Sequence, residues 1–298
     1  MEICNRLIAV GSVICYNVSA DNVSTFGNST RIDTLVYPKG RECMERVAKV
    51  LVDTPYIVLG NGSNTLISSD GVEDIVVSPK KLNNHTIMSD GIYAEAGVNN
   101  GLLARIARDN YMTGLEFLTG IPGTLGGAIA MNAGAYGSSM SDVVEYVDVL
   151  ENGEAKRVMA EDMDFGYRRN GRAGAIFVGA KLALERGNPI IISNTMKKYQ
   201  LTRRRTQPTE HTLGSVFKRV NDMSAGYYIE KAGLMGYSIG GAEISTIHAN
   251  FIVNKGGATS GDFVALADLA RDMVYKRFGI MLEREVRYIG RGIEEVRQ

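Results

Sequence analysis

A glycine- and alanine-rich stretch without a charged side chain is the feature that most limits how this chain can fold. The stretch covers residues 117–137, and ten of the 18 residues at positions 120–137 are glycine or alanine. Glycine loses more backbone entropy on folding than any other residue, so a folded protein keeps it where a side chain would be an obstacle. The stretch therefore predicts close packing of backbone, either against another part of the chain or against a ligand.

Composition and charge exclude several classes of function. The 33 basic and 33 acidic residues give a formal net charge of zero, so no overall field attracts nucleic acid or an anionic membrane surface. Three cysteines (Cys4, Cys15, Cys43) without CxxC spacing, with only three histidines, predict reduced thiols and no metal site. The apolar run at residues 7–16 is interpreted as a buried N-terminal element rather than an export signal. We expect a cytoplasmic protein.

Apolar periodicity predicts both strands and helices. Short runs rich in valine and isoleucine predict strands in PYIVLGNG, EDIVVSP, GIYAEAGV, VEYVDVLENGE and GAIFVGAKLAL, and helical spacing predicts helices over residues 41–53 and 99–111. This pattern favours an α+β layout over a regular doubly wound sheet.

Two features mark the second half of the chain. A charged helical connector at residues 194–208 predicts a domain boundary. A further helix is expected after Thr259, with Asp262 completing a capping box. Its core face is predicted to consist of Phe263, Leu266, Ala267, Ala270 and Val274.

Two glycine loops have the composition of phosphate-binding turns. LGNGSNTLIS (residues 59–68) follows the strand YIVL, but Thr65 stands where the dinucleotide fingerprint has its third glycine, and strand-like sequence follows. GIPGTLGG (residues 120–127) is not a P-loop, because no GK follows it. Taken singly, the first loop is a tight hairpin turn or a pyrophosphate cradle, and the second is a phosphate loop or a turn into a packed helix. Together, the two loops are best explained by one dinucleotide cofactor.

The GYSIG segment (residues 236–240) matches the nucleophile elbow of serine hydrolases, but its context does not. That motif needs a strand, a sharp turn and a helix, whereas β-rich sequence follows Gly240, and no aspartate lies between Ser238 and His248. We therefore predict that the chain is not a serine hydrolase.

Four polar segments have no evident structural reason. They are YRR (167–169), GSVFK (214–218), IHANF (247–251) and LEREVRYIG (282–290). In the last segment Glu283, Glu285 and Arg287 alternate, so on a strand they would share one face. Such alternation is also typical of a solvated strand edge.

With these motifs in order, the chain resembles the UDP-N-acetylenolpyruvoylglucosamine reductase (MurB) family, in its shorter subgroup without a tyrosine-bearing insertion. The resemblance covers about residues 30–290 and rests on GNGSNTLIS, GLEFLTGIPGTLGGAIAMNAGAYG, FGYRRN, RRRTQP, GSVFK, AGYYIEKAGLMGYSIGGAEIS, HANFIVN and LEREVRYIG. It implies an α+β protein with an FAD-binding fold of the vanillyl-alcohol-oxidase (PCMH) type. Two subdomains, about residues 1–80 and 81–193, would hold FAD, and a C-terminal αβ domain, residues 194–298, would hold the substrate.

The resemblance also implies a reaction. The family uses NADPH and non-covalent FAD to reduce UDP-N-acetylglucosamine enolpyruvate to UDP-N-acetylmuramate, a precursor of bacterial peptidoglycan, with hydride passing from FAD N5 to C3. The implied partner is this small molecule, with no nucleic acid and no membrane, and the implied state is a monomer or a weak dimer.

The family's functional residues match positions of this chain. Ser215 matches the donor of a proton to C2, and Arg168 and Glu285 match the residues that stabilise the developing negative charge. Positions that match substrate contacts are Tyr167, Lys218, His248 and Arg287, and no metal is implied. Positions assigned to FAD are Gly60, Asn61, Gly62, Ser63, Asn64, Gly120, Pro122, Gly123, Gly126, Gly127, Ala128, Asn132 and Gly134.

Some positions depart from the family pattern. Asp33 and Thr34 replace a glycine pair, Asn170 replaces a serine, and Arg219 replaces an asparagine. These departures leave open how the chain contacts the adenine of FAD and the phosphates of the substrate.

Two alternative functions agree with part of the sequence. A flavin oxidase or dehydrogenase of the same fold would keep the glycine loops but has no reason to combine Ser215, Arg168 and Glu285. The second alternative is a protein that binds a flavin or a sugar nucleotide without catalysing a reaction. Only the positions that depart from the family pattern favour it.

Overall fold

Helices and strands are interspersed along the chain, in agreement with the predicted α+β layout. The computed structural model describes residues 2–292. The helices are α1 (Glu2–Ala9), α2 (Arg41–Val50), α3 (Asn100–Asp109), α4 (Leu125–Ala130), α5 (Pro189–Thr206), α6 (Ala225–Lys231) and α7 (Ser260–Phe278). The strands are β1 (Ser12–Ser19), β2 (Arg31–Pro38), β3 (Tyr56–Val58), β4 (Thr65–Ile67), β5 (Val72–Val77), β6 (His85–Met88), β7 (Gly91–Glu95), β8 (Met112–Thr113), β9 (Gly134–Ala135), β10 (Ser138–Ser139), β11 (Val144–Glu151), β12 (Glu154–Met159), β13 (Ile176–Ala183), β14 (Glu185–Arg186), β15 (His211–Ser215), β16 (Ser238–Ile239), β17 (Ala242–Ile244), β18 (Phe251–Asn254) and β19 (Arg287–Ile289).

The sequence-based elements are confirmed. The five predicted strands correspond to β3, β5, β7, β11 and β13, and the two predicted helices to α2 and α3. The capping box of α7 is formed, because the Thr259 hydroxyl accepts from the Asp262 N–H (3.0 Å) and the Asp262 carboxylate accepts from the Thr259 N–H (2.9 Å). The apolar face predicted for this helix is buried. The connector is helical, but its helix begins earlier than predicted, at Pro189.

The chain divides into two compact units. Within residues 2–292, the first comprises residues up to 15, 34–61 and 75–203, and the second comprises residues 16–33, 62–74 and those from 204 on. The four strands in the order β1–β2–β5–β3 form a further sheet. The division differs from the linear order expected of cofactor and substrate domains, and the boundary at residues 193 and 194 stays a prediction.

The first unit is built on a five-stranded sheet in the order β12–β11–β13–β7–β6, with antiparallel pairing throughout. Helices α3 and α4 pack on this sheet through a core that includes Leu103, Leu125, Ile129, Val147 and Leu182. A second core joins α2 to the sheet end formed by Leu150, Ile176 and Val178, and Leu7 of α1 is fully buried in it. The run at residues 7–16 is thus less buried than predicted, because Leu7 lies in the core whereas Ile8, Val13 and Tyr16 are exposed.

The second unit is built on an antiparallel sheet in the order β15–β18–β17–β16, together with the parallel pair β19–β4. Helices α6 and α7 pack against it around Phe217, Ile229, Phe263 and Tyr288. The GYSIG segment contributes to the β16–β17 hairpin, so the nucleophile elbow is excluded as predicted. Within residues 2–292, no helix combines the length and the apolar character needed to cross a membrane.

Candidate functional site

The first glycine loop follows β3 and leads into another strand. The Leu59 N–H donates to the Val77 carbonyl (3.0 Å), which holds the start of the loop against β5. Strand β4 begins at Thr65, whereas the dinucleotide fingerprint needs a helix there, so that motif is excluded as predicted. Asn61 is the last loop residue of the first unit, and Gly62 is the first of the second unit.

Gly62 is required by the packing of the chain itself. Its φ is +61°, and a Cβ at this position would lie 2.1 Å from the Val23 carbonyl oxygen. The Gly62 carbonyl in turn accepts from the Thr25 N–H (3.3 Å). Close backbone packing therefore accounts for this glycine.

The second glycine loop is shorter than the sequence predicted. Gly126 and Gly127 lie inside α4 rather than in a loop, because the helix begins at Leu125. The Leu125 and Gly126 N–H groups donate to the carbonyls of Val98 (2.8 Å) and Ala96 (2.9 Å). A Cβ at Gly126 would lie 2.9 Å from the Ala96 Cβ. This glycine also serves packing within the chain.

The turn before α4 is held through its backbone. The Gly123 carbonyl accepts from the Asn100 N–H (3.1 Å) and from the Asn99 amide (3.3 Å). Gly123 and Gly120 have φ values of +127° and +81°, which favour glycine. Pro122 between them is exposed.

Helix α5 packs against both ends of the glycine-rich stretch. A Cβ at Gly120 would lie 2.9 Å from Arg203 Cδ, and burial lowers the pKa of the Arg203 guanidinium. At the other end, the Tyr136 and Tyr199 rings stack with centroids 3.8 Å apart. The Tyr136 hydroxyl donates to the Tyr199 carbonyl (2.9 Å).

Two threonine hydroxyls of this stretch point to a ligand. Thr119 and Thr124 are 2% and 4% exposed, and neither hydroxyl has a hydrogen-bond partner among residues 2–292. A buried hydroxyl without a partner costs about 1–3 kcal/mol, so a bound polar group is expected to satisfy such atoms. Uncharged hydroxyl donors beside glycine turns suit the phosphates of FAD, the cofactor predicted here. The residues present therefore fit this group.

Arg168 has an unusual backbone conformation. Its φ of +57° lies in the left-handed region, which residues other than glycine rarely adopt. Its guanidinium carbon lies 5.1 Å from the centroid of the Tyr167 ring. Strained backbone of this kind is concentrated at functional sites.

The loop that carries Arg168 is tied to the glycine-rich stretch by two asparagines. The Asn132 amide donates to the Gly166 carbonyl (3.0 Å), and the Asn170 amide donates to the Ala130 carbonyl (2.7 Å). Asn132 is also a predicted cofactor residue, and its side chain holds this loop in the structure. Asn170, which departs from the family pattern, also has a structural role.

In the second unit, Ser215 follows a β-bulge. Thr212 pairs with Val253 and Ser215 with Phe251, so β15 contains one residue more than β18 between these pairs. Gly214 in the bulge has a φ of +79°. Bulges often redirect a side chain beside an active site, and this bulge directly precedes Ser215.

Ser215 and Glu285 lie on neighbouring backbone segments. Phe217 pairs with Arg284 in an isolated antiparallel bridge. The Glu285 N–H donates to the Val216 carbonyl (2.8 Å). The structure thus brings together two residues that are far apart in the sequence.

The segment containing Glu285 also contacts the first glycine loop. The Asn64 amide donates to the Glu285 carbonyl (3.1 Å), and the Arg287 N–H donates to the Asn64 carbonyl (3.0 Å). The strand predicted here is shorter than expected, because β19 begins only at Arg287. Glu285 is buried, whereas Glu283 and Arg287 are exposed. Lys218, a predicted substrate contact, forms an ion pair with Glu283 (2.5 Å).

Asn250 links His248 to the Ser215 segment. Its side-chain amide bonds both backbone groups of Phe217, accepting from the N–H (3.0 Å) and donating to the carbonyl (2.8 Å). Its carbonyl accepts from the Val216 N–H (2.9 Å). Its own N–H donates to His248 Nδ1 (3.2 Å), so a neutral His248 has its proton on Nε2. Burial lowers the pKa of His248.

The predicted residues therefore form two groups. Ser215, Lys218, His248, Glu285 and Arg287 belong to the second unit together with residues 62–64, and Tyr167, Arg168 and the remaining predicted cofactor residues belong to the first. Sequence reasoning missed three residues of structural importance: Thr119, Thr124 and Asn250. All three lie in motifs that the sequence analysis names. Asn250 is distinguished from its neighbours by its bonds to Phe217, and the two threonines by buried hydroxyls without a partner among residues 2–292.

Two family models match the chain. One is an FAD binding domain over residues 32–158, and the other is the C-terminal domain of UDP-N-acetylenolpyruvoylglucosamine reductase over residues 207–289.

Individual relatives match most of the chain. The UDP-N-acetylenolpyruvoylglucosamine reductase of Caldanaerobacter subterraneus is 41% identical over 264 residues, which are 87% of each chain. A Streptococcus pneumoniae protein of the same name is 40% identical over 264 residues, 87% of this chain and 88% of the relative. The crystal structure of UDP-N-acetylenolpyruvylglucosamine reductase (MurB) from Thermus caldophilus superimposes with a TM-score of 0.81 at 32% identity, covering 94% of this chain and all of the other.

Proposed function

Because the chain belongs to the UDP-N-acetylenolpyruvoylglucosamine reductase family, we propose that it uses NADPH to reduce UDP-N-acetylglucosamine enolpyruvate to UDP-N-acetylmuramate. Membership makes it an FAD-containing oxidoreductase, and the proposed product is a precursor of bacterial peptidoglycan. The predicted fold class, α+β with an FAD-binding fold of the vanillyl-alcohol-oxidase type, is confirmed.

The proposed roles follow from the charge that the reaction creates. FAD, when bound, supplies a hydride to C3 of the enolpyruvyl group. Negative charge then develops on C2 and on the adjoining carboxylate of the substrate. The Arg168 guanidinium pairs with that carboxylate, and Glu285 in its protonated form donates a hydrogen bond to it. The Ser215 hydroxyl donates its proton to C2 and regains one from water.

The observation that carries these roles is the pairing of the Ser215 and Glu285 segments through Val216. It supports a shared function, because a β-bulge precedes Ser215 and Glu285 is a carboxylic acid that is only 7% exposed, a combination typical of functional sites. Tyr167, Lys218, His248 and Arg287 are proposed substrate contacts. For Lys218, substrate phosphate would replace the Glu283 carboxylate.

Anaerobic absorption spectra of the purified holoenzyme test the proposal. A flavin spectrum should bleach when NADPH is added and return when UDP-N-acetylglucosamine enolpyruvate follows. NADH in place of NADPH tests the donor, and UDP-N-acetylglucosamine serves as a control that lacks the enolpyruvyl group. A flavin that stays bleached with the enolpyruvyl compound would reject this substrate, and a protein that takes up no FAD would reject the proposal as a whole.

A further inference from the structure

Glu285 lies in a segment of the second unit that has little regular secondary structure. Within the described residues 279–286, which connect α7 to β19, the β-pairing is limited to an isolated bridge between Arg284 and Phe217. The Glu285 N–H donates to the Val216 carbonyl (2.8 Å) beside this bridge. A connection with few backbone bonds opens more readily than a regular sheet, so side-chain contacts contribute to the position of Glu285.

Arg284, the residue before Glu285, anchors this segment to α7. Its Nη2 atom forms an ion pair with Asp268 Oδ1 on the helix. The guanidinium carbon lies 5.1 Å from the centroid of the Tyr288 ring, within the range of a cation–π contact. The Arg284 side chain is 16% exposed, and its Nε is buried without a partner among residues 2–292. Asp268 therefore supplies the charged partner of this side chain.

Arg271 provides a reference for this contact. It lies one turn after Asp268 on α7 and contacts the same Oδ1 atom (3.1 Å). Both arginines therefore neutralise one carboxylate, but only Arg284 belongs to the segment that carries Glu285. A comparison of the two arginines separates the charge around Asp268 from the anchoring of the segment.

We infer that the ion pair between Arg284 and Asp268 positions Glu285 for its proposed role, an inference that rests on the proposed function. A partly buried ion pair adds little net stability, because the loss of hydration offsets much of the attraction between the charges. It favours one geometry, however, since the planar guanidinium must meet the carboxylate oxygen in both direction and distance. Glu285 follows Arg284 directly, so fixing Arg284 limits the conformations of Glu285. A displacement of about 1 Å in a site can lower a rate about a hundredfold.

Single-turnover kinetics of the holoenzyme test this role. Arg284→Met keeps an apolar stem but loses the charge, and it should slow reoxidation of the reduced flavin by UDP-N-acetylglucosamine enolpyruvate by about tenfold. Reduction of the flavin by NADPH should stay within about twofold of wild type, because this step does not need Glu285. Arg271→Gln is the matched control, and both steps should stay within about twofold of wild type in it.

A double-mutant cycle shows whether Arg284 acts through Asp268. Asp268→Asn should slow reoxidation by about tenfold, and the variant with both substitutions should also be about tenfold slower, not about a hundredfold. The rate constants come from bound flavin alone, so they do not depend on the fraction of protein that is folded. A lower unfolding temperature without slower reoxidation would assign the ion pair to the fold and overturn the inference.

The outcomes distinguish the inference from the proposed function. A reduced wild-type flavin that the enolpyruvyl compound does not reoxidise would reject the proposed function, and the inference with it. Normal turnover by the wild type together with an unchanged rate in Arg284→Met would overturn the inference alone. Equal slowing in Arg271→Gln would do the same, because the rate would then follow the charge around Asp268 and not the anchoring of the segment.

Discussion

At the scale of single residues, glycine is required for different reasons at different positions of this chain. Gly62 is explained by a neighbouring backbone, since Val23 approaches where its Cβ would be. Gly257 has a similar φ, +69°, but nothing lies within 4 Å of the position of its Cβ. Both residues belong to the second unit, so they form a matched pair.

Gly62→Ala should lower the free energy of unfolding by about 3 kcal/mol or more, whereas Gly257→Ala should lower it by about 1–2 kcal/mol. Both variants place alanine in the left-handed region, but only Gly62→Ala also forces the backbone apart. Urea denaturation of the apoproteins measures the difference. Equal losses would contradict the close approach to Val23.

Ser215→Ala should separate the two halves of the proposed reaction. Reduction of the flavin by NADPH needs no proton from Ser215 and should stay within about twofold of wild type, whereas reoxidation by the enolpyruvyl substrate should slow by about 10²-fold or more. Anaerobic stopped-flow absorbance follows both steps. Normal reoxidation would remove Ser215 from the mechanism.

At the scale of elements, Asn250 fixes the segment that carries Ser215. Its side chain bonds both backbone groups of Phe217, which is 2% exposed. Asn254 in the same motif bonds backbone carbonyls of Phe26 (2.9 Å) and Gly27 (3.1 Å) instead. The two asparagines therefore hold different parts of the second unit.

Asn250→Ala and Asn254→Ala should each lower the free energy of unfolding by about 2–4 kcal/mol, because each leaves buried backbone groups unsatisfied. Only Asn250→Ala should also slow flavin reoxidation by substrate, by about tenfold or more, since it releases the segment that positions Ser215. Denaturation and single-turnover kinetics measure the two effects. Equal slowing in both variants would show that Asn250 acts through stability alone.

At the scale of the whole molecule, the second unit is assembled from three separate segments of the chain. Residues 16–33 and 62–74 join the C-terminal part through bonds such as the one from the Thr25 hydroxyl to the Thr212 carbonyl (2.7 Å). Another is the bond from the Asn28 amide to the Ile67 carbonyl (2.8 Å). The stability of this unit therefore depends on contacts that span most of the sequence.

The stability of the apoprotein should fall as the pH is lowered through the ordinary pKa of histidine, about 6.5. Burial lowers the pKa of His248 in the folded state, so the unfolded state takes up a proton first and is favoured, until the pH reaches the lowered folded pKa. Denaturation between pH 7.5 and 5 measures the change, and His248→Gln should make it smaller. An identical pH dependence in His248→Gln would contradict this assignment.

The sequence by itself determined the local structure and the family. The apolar run in GAIFVGAKLAL, the capping box at Thr259 and the β-rich sequence after GYSIG depend on neighbours a few residues apart. Strand β13, helix α7 and the β16–β17 hairpin were therefore predictable. The order of the motifs likewise indicated the family, and the resemblance indicated Ser215, Arg168 and Glu285 as candidate catalytic residues. Contacts between residues far apart in the sequence could not be predicted in this way.

Only the tertiary structure decided which glycines face the chain, which threonine hydroxyls lack a partner and which segment lies beside Ser215. These properties depend on contacts between residues far apart in the sequence, as between Gly62 and Val23 or Val216 and Glu285. A residue type specifies what a side chain can bond, whereas the fold specifies which partner is present. For that reason the sequence did not single out Thr124, whose hydroxyl is buried without a partner in the described part of the folded chain.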